Sequence, residues 1–248
     1  MRAAYVGYNK LLNNLKDLGF KPETVIDAGV ANGTPWLYEE FPAAYFYLFE
    51  PVPSFEKRIS EILKSIKGEH IQLALGSKEE IAEFYIPKDE GLHQISTFCF
   101  TEKTVPKDTK YEVGVTTLDS FFLNKEITYP ILLKTDVQGY DLDVAKGAER
   151  LLKEIDIVIT EVPVYGPWGG GAELKDYIDY YYAHDFILYD LVQPLRRPDD
   201  DRLHSIDLCF ANAKLPLAAR ELYTSGKKAI RESLAYYKSI SDKQKSKN

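Results

Sequence analysis

The chain has 248 residues, of which 45% are hydrophobic and 28% charged, and its formal net charge is −7. That length and apolar share suffice for one large α/β domain or two small ones. The acidic balance argues against nucleic acid as the main partner, and no stretch approaches the roughly 20 apolar residues of a membrane span.

No basic–apolar–small leader opens the sequence, and its two cysteines, Cys99 and Cys209, form no CxxC and read as buried apolar residues. A cytoplasmic protein is the expectation; homo-oligomerisation is left open. The basic tail at 243–247 reads as a solvated end.

In chain order, apolar residues at 11, 12, 15 and 18 have a helical period that Gly19 stops. Residues 24–27 form a buried strand ending at Asp27, and a loop with Gly29 and Gly33 follows. Thr34 is then placed to cap a helix whose first position, Pro35, needs no N–H. A strand turning through glycines into a helix start makes a ligand cradle with N–H groups to offer. The aromatic strand 45–50 ends at Glu50 before Pro51; Ser54 caps a helix with Phe55, Ile59, Ile62, Leu63 and Ile66 on one face, closed by Gly68. A third strand spans 71–75 and ends at Gly76.

The alternation then breaks. Strand-like segments at 82–86 and 111–117, separated by loop-like 87–106, predict a hairpin insertion after the third strand. A short helix at 118–123 follows. Strand 131–135 runs into Asp136, and Val137-Gln138-Gly139 leads into a helix with Tyr140, Val144, Ala148, Leu151 and Leu152 inward. Strand 155–161 ends at Glu161, a glycine- and aromatic-rich loop spans 165–171, and 173–183 is helical. Strands 186–192 and 206–212 flank a charged loop at 194–204, too short for a helical crossover, so they should be antiparallel neighbours. A terminal helix spans 216–240. One domain over 1–248 results: an N-terminal helix within 1–20, a core at 24–212, and a C-terminal helix with the basic tail. Its class is α/β, a mostly parallel sheet with helices on both faces.

Acids close four of the five parallel strands: Asp27, Glu50, Asp136 and Glu161. Ligands of open parallel sheets bind beyond those carboxyl ends. Glu50, 17 residues after Gly33, is spaced to accept both hydrogen bonds of a ribose diol. The loop pattern is not the GxGxxG of dinucleotide sites, and the acid at its head suits a cationic ligand better than a pyrophosphate.

These segments resemble, in order, the FkbM-type methyltransferases of the class I S-adenosylmethionine-dependent group. The residues are Val25 to Gly33 (Val-Ile-Asp-Ala-Gly-Val-Ala-Asn-Gly), Phe49-Glu50-Pro51, Thr117-Leu118-Asp119, Leu133 to Gly139 with Gly147 beyond, and Ile159-Thr160-Glu161. The resemblance covers roughly 24–162. It implies a Rossmann-like, seven-stranded sheet with an antiparallel last strand, S-adenosylmethionine as methyl donor, and O-methylation of a hydroxyl on a sugar, glycan or natural-product acceptor. It places Asp27, Gly29 and Gly33 in the methionine-side loop, Glu50 at the ribose and Asp136 near the methyl; Val30, Ala31, Asn32, Pro51 and Gly76 complete the implied cofactor-binding set. The sequence departs where the family has Asn at 31, an acid at 138 and Glu at 141; here these are Ala31, Gln138 and Asp141.

A base helps when the acceptor is an alcohol. Asp136 is the candidate, with Glu161 and His204 as alternates; Asp136 serves equally to orient the donor's methionine end. Asp136 and Glu161 offer only two ligands to a divalent metal, so no metal is expected. Tyr165, Trp168 and Gly169–Gly171 form either a flap over the acceptor or an ordinary surface loop. The run Tyr180, Tyr181 and Tyr182 reads as core and half-exposed helix. The rival functions are a non-catalytic S-adenosylmethionine-binding protein and an NAD-type oxidoreductase, against which the missing GxGxxG speaks.

Overall fold

The computed structural model describes residues 7–87, 110–165, 171–218 and 226–245. Helix α1 (Tyr8–Asp17) precedes strand β1 (Thr24–Ala28), α2 (Pro35–Glu40), β2 (Tyr45–Phe49), α3 (Glu56–Ile62) and β3 (Lys67–Ile71). The short β4 (Ala74–Leu75) is followed by β5 (Glu80–Tyr85), β6 (Lys110–Thr116) and α4 (Leu118–Phe121). Next come β7 (Ile131–Thr135), α5 (Asp141–Lys146), β8 (Ile157–Pro163), α6 (Leu174–Ala183), β9 (Phe186–Arg196), β10 (Leu203–Asn212) and α7 (Gly226–Lys245).

Seven strands form one sheet in the order β3-β2-β1-β7-β8-β10-β9. The first five run parallel, and β10 lies antiparallel between β8 and β9. Successive strand residues alternate between two apolar layers. Val25, Phe46, Leu48 and Leu132 pack against Leu11 and Leu15 of α1, Leu37 of α2 and Ile59 of α3. Ile26, Phe49, Leu133 and Val158 pack on the other face against Leu118 of α4, Val144 of α5 and Tyr177 and Tyr181 of α6. The parallel strands are apolar on both sides because helices cover both faces. The carboxyl ends of β1, β2, β7 and β8 thus converge on one edge of the sheet, the edge on which the four strand-end acids lie.

The third strand differs from expectation. Helix α3 stops at Ile62, and Gly68, expected to end it, lies inside β3. There a Cβ would stand 2.2 Å from the Phe46 carbonyl oxygen. As an edge strand, β3 carries Lys67, Glu69 and His70, so it lacks the apolar signature used to find strands. The apolar residues Ala74 and Leu75 pair instead with Val115 and Thr116. With the antiparallel β5–β6 pair, which agrees with the predicted hairpin, they build a separate three-stranded sheet. Most of the loop expected at 87–106 lies outside the described residues.

Other boundaries moved. The strand expected at 155–161 spans Ile157–Pro163. Helix α5 ends at Gly147, where a Cβ would stand 2.0 Å from the Gly76 carbonyl oxygen. Strands β9 and β10 extend so far that His204, expected in a loop, lies within β10. Pro216–Ala218 is a short 3-10 turn, and α7 begins at Gly226. Tyr181 is buried, Tyr180 stacks on His184 and Tyr182 is exposed, as the helical reading of that run expected. Cys209 is buried; Cys99 lies outside the described residues. Among the described residues, no helix is long and apolar enough to cross a membrane.

Candidate active site

The loop after β1 is shaped by close backbone approach. Gly29 has φ +79, and a Cβ there would lie 1.9 Å from the Asp136 carbonyl oxygen, so the ends of β1 and β7 nearly touch. Only glycine permits both the conformation and the contact. Ala31 takes a left-handed conformation at φ 43, which turns its N–H onto Glu50 Oε2 at 2.8 Å. The N–H groups of Gly29 and Val30 donate to the Phe49 carbonyl, and that of Gly33 to the Val30 carbonyl. The cradle therefore differs from the expected one: these four N–H groups are spent inside the protein, and α2, with six residues, makes a short helix start.

Glu50 is 4% exposed. Its second oxygen, Oε1, accepts the Val52 N–H at 2.9 Å. Burial holds its pKa above the ordinary carboxylate value, opposed by the two N–H donors and by Lys134. Each oxygen still has a lone pair for a further donor.

Asp27 corrects the sequence argument. It is fully buried; Thr34 Oγ1 and Tyr38 Oη both donate to its Oδ2 at 2.8 Å, and it does not line the cavity described below. Thr34 turns to Asp27 in place of capping α2. The ammonium of Lys134 stands 3.2 Å from Asp27 Oδ1, an ion-pair distance without hydrogen-bond alignment. The acid expected to meet a cationic ligand already has its cation. Lys134 also donates to the Gly29 carbonyl at 3.0 Å and approaches Asp136 Oδ2 to 3.9 Å. Burial opposes its charge, but Asp27 and Asp136 outweigh burial and hold it protonated above the ordinary lysine value.

Beyond Lys134, three side chains form a bridge. Gln138, at φ 56, donates Nε2–H to Asp136 Oδ1 at 2.8 Å and to Glu161 Oε2 at 3.3 Å. Ser205 donates to Glu161 Oε1 at 3.1 Å. An amide at 138 links two carboxylates where an acid would add a third. Burial, then Asp136 and Asp141, push Glu161 up to about 9, so it holds a proton at neutral pH. Asp141, buried under the same loop and accepting the Val137 and Gly139 N–H groups, is raised to about 7. Asp207 pairs with Glu161 across β8 and β10 and is bonded by the Tyr8 hydroxyl; burial raises it to about 6. Among the described residues, no group of three or more His, Cys, Asp or Glu is placed to hold a metal ion.

Glu50, Lys134, Asp136, Gln138 and Glu161 line a cavity of about 440 Å³, within the range of small-molecule sites. Of the residues singled out in the sequence, Gly29, Val30, Ala31, Asn32, Gly33, Glu50, Pro51, Asp136 and Glu161 line it. Gly76 does not; its neighbours Ala74 and Leu75 do, while Gly76 packs against Gly147. His204 does not line it either: its ring meets Tyr165 edge-on at 6.2 Å. Of the expected flap, 166–170 lie outside the described residues. Sequence reasoning missed Lys134, Leu195, and Tyr8 and Trp36, which stack at 3.8 Å. A lysine following the apolar run Ile131–Leu133 in a fully buried strand was the one readable signal among them.

The model of the methyltransferase FkbM domain matches residues 27–188. The chain belongs to this family. It is 28% identical over 124 residues to the hexuronic acid methyltransferase AglP of Haloferax volcanii, a match covering 48% of this chain and 47% of that protein. The crystal structure of an FkbM methyltransferase from Methylobacillus flagellatus superposes with a TM-score of 0.51 at 15% identity, over 82% of this chain and 48% of the other. The chain spans about half the length of each. The fold is thus the Rossmann-like methyltransferase fold, and membership of the FkbM family sets aside the oxidoreductase alternative.

Proposed function

We propose that this FkbM family member is an S-adenosylmethionine-dependent O-methyltransferase acting on a hydroxyl of a sugar or glycan. The observation that carries the reading is one continuous cavity with a buried, doubly hydrogen-bonded Glu50 at one strand end and the Asp136–Gln138–Glu161 bridge at two others. Glu50 would accept the two hydroxyls of the ribose, and loop residues 29–33 would wall the methionine half. Bound there, S-adenosylmethionine supplies a methyl group already activated on a sulfonium.

The protein's part is to align an acceptor oxygen, exclude water and take a proton. Asp136, with a side chain 42% exposed, faces the cavity and orients the donor's methionine end. Glu161 takes the acceptor proton. Positive charge brought beside it lowers its pKa from about 9 toward neutrality, where a general base works best. Gln138 and Ser205 fix its two oxygens. The bound donor would give its methyl carbon to the acceptor oxygen and leave as a neutral thioether, while Glu161 would take the hydroxyl proton. The hexuronic-acid activity named for the Haloferax relative directs the choice of acceptors.

The test is incubation with isotopically labelled donor and a panel of hexuronic-acid-containing and neutral glycans. An alkali-stable methyl ether on a sugar supports the reading. An alkali-labile methyl ester would move the reaction to a carboxyl oxygen and remove the need for a base. Donor binding without product across the panel would favour a non-catalytic binding protein.

A further inference from the structure

We propose that Lys134 binds the carboxylate of an α-amino-acid moiety in this cavity, which on the reading above is the methionyl carboxylate of the donor. Lys134 is the only basic side chain among the described residues lining the cavity, and it is 7% exposed. An ammonium has three donors. One is aligned on the Gly29 carbonyl, and Asp27 Oδ1 at 3.2 Å balances the charge without hydrogen-bond alignment. The ammonium therefore retains donor capacity toward the cavity it lines.

Two further observations direct a carboxylate to it. The N–H groups of Gly29, Val30, Ala31 and Gly33, which would otherwise hold an anion, all donate within the protein. The remaining ionisable acids and bases on the cavity wall, tyrosine aside, are the acids Glu50, Asp136 and Glu161. A ligand carrying a sulfonium, an α-ammonium and a carboxylate meets acids with its two cations and has one cation for its anion. Lys134 and Asp136, 3.9 Å apart and opposite in sign, form the complement of an amino-acid zwitterion.

Titration calorimetry with three probes tests this: S-adenosylhomocysteine, its decarboxylated analogue and 5′-methylthioadenosine. In the wild type the decarboxylated analogue should bind roughly 10- to 100-fold more weakly than S-adenosylhomocysteine, the worth of one charged hydrogen bond. Lys134→Met should weaken S-adenosylhomocysteine by a similar factor and leave both probes without a carboxylate within about threefold. If removal of the partner leaves Asp27 buried and uncompensated so that the variant does not fold, Asp27→Asn/Lys134→Met carries the same comparison, and the wild-type comparison needs no variant. Equal loss for all three probes would reduce Lys134 to a prop for the Gly29 loop and overturn the inference. Equal affinity of S-adenosylhomocysteine and its decarboxylated analogue in the wild type would also overturn it, leaving the nucleoside site intact. Failure of all three to bind the wild type would overturn the donor assignment itself.

Discussion

Glu50→Gln tests the proposed ribose subsite with little change in volume. The carboxylate uses one oxygen for the Ala31 N–H at 2.8 Å and the other for the Val52 N–H at 2.9 Å. An amide has one acceptor, so one of these N–H groups must face an NH2. An unsatisfied buried donor costs about 1–3 kcal/mol. Removing a charge whose pKa burial has raised offsets part of that, so the expected loss of stability is at the low end, about 1 kcal/mol. Binding should suffer more. A diol donating to a carboxylate makes two charge-assisted bonds, and the amide accepts at most one of them. Loss of a single such bond is worth about 1.5–3 kcal/mol, or roughly 10- to 150-fold in affinity. Calorimetric titration with S-adenosylhomocysteine, paired with urea unfolding, measures both. Affinity within about threefold of wild type in a folded variant would remove Glu50 from the ribose site.

Glu161→Gln should reduce turnover by about 10²–10⁴ while changing S-adenosylhomocysteine affinity only a few-fold; undiminished turnover would show that Glu161 is not the base. The wild-type rate should rise with pH to a plateau, with an inflection below the value of about 9 that Glu161 has in the empty site. Gly147→Ala places a methyl 2.0 Å from the Gly76 carbonyl oxygen, backbone against backbone, and should cost at least about 1–3 kcal/mol in a thermal melt; an unchanged Tm would refute the contact. Stability should also fall as pH rises. Asp156 and Asp207 at about 6, Asp141 at about 7 and Glu161 at about 9 keep protons that the unfolded chain releases near pH 4. Their contribution is largest below that lower value and is lost as pH climbs through the folded ones. A series of urea midpoints from about pH 5 to about pH 9 should decline, and a flat or rising series would contradict the burial of these acids.

The strand-end acids were legible because a parallel sheet exposes its carboxyl ends and because each acid follows an apolar run. The parallel alternation and the antiparallel pairing of β9 with β10 were equally accessible, from the alternation of elements and the short connection between those two strands. What the sequence hid was lateral. Asp27 and Lys134 are direct partners in the β1–β7 register, separated by more than a hundred residues. Without that register Asp27 looks like an acid awaiting a cationic ligand. With it, Asp27 is the inner half of an ion pair whose outer half faces the cavity. Asp207 and Glu161 are likewise register partners, and that pairing of two acids helps lift Glu161's pKa. Strand β3 escaped for a different reason: an edge strand with one covered face does not need the apolar composition by which interior strands are recognised.

The bond from the Tyr8 hydroxyl to Asp207 joins positions 199 residues apart and closes the cavity beside Glu161. A chain emerging from the ribosome thus exposes its glycine loop and Glu50 early. The bond that anchors Tyr8, a residue of the cavity wall, forms only after β10 has been made and inserted between β8 and β9. Such long-range closure is among the slower steps of folding. On the proposed reading, the elements of the donor site are therefore synthesised before the Tyr8–Asp207 bond can close beside them, and a nascent chain that captured the donor early would still lack that closure.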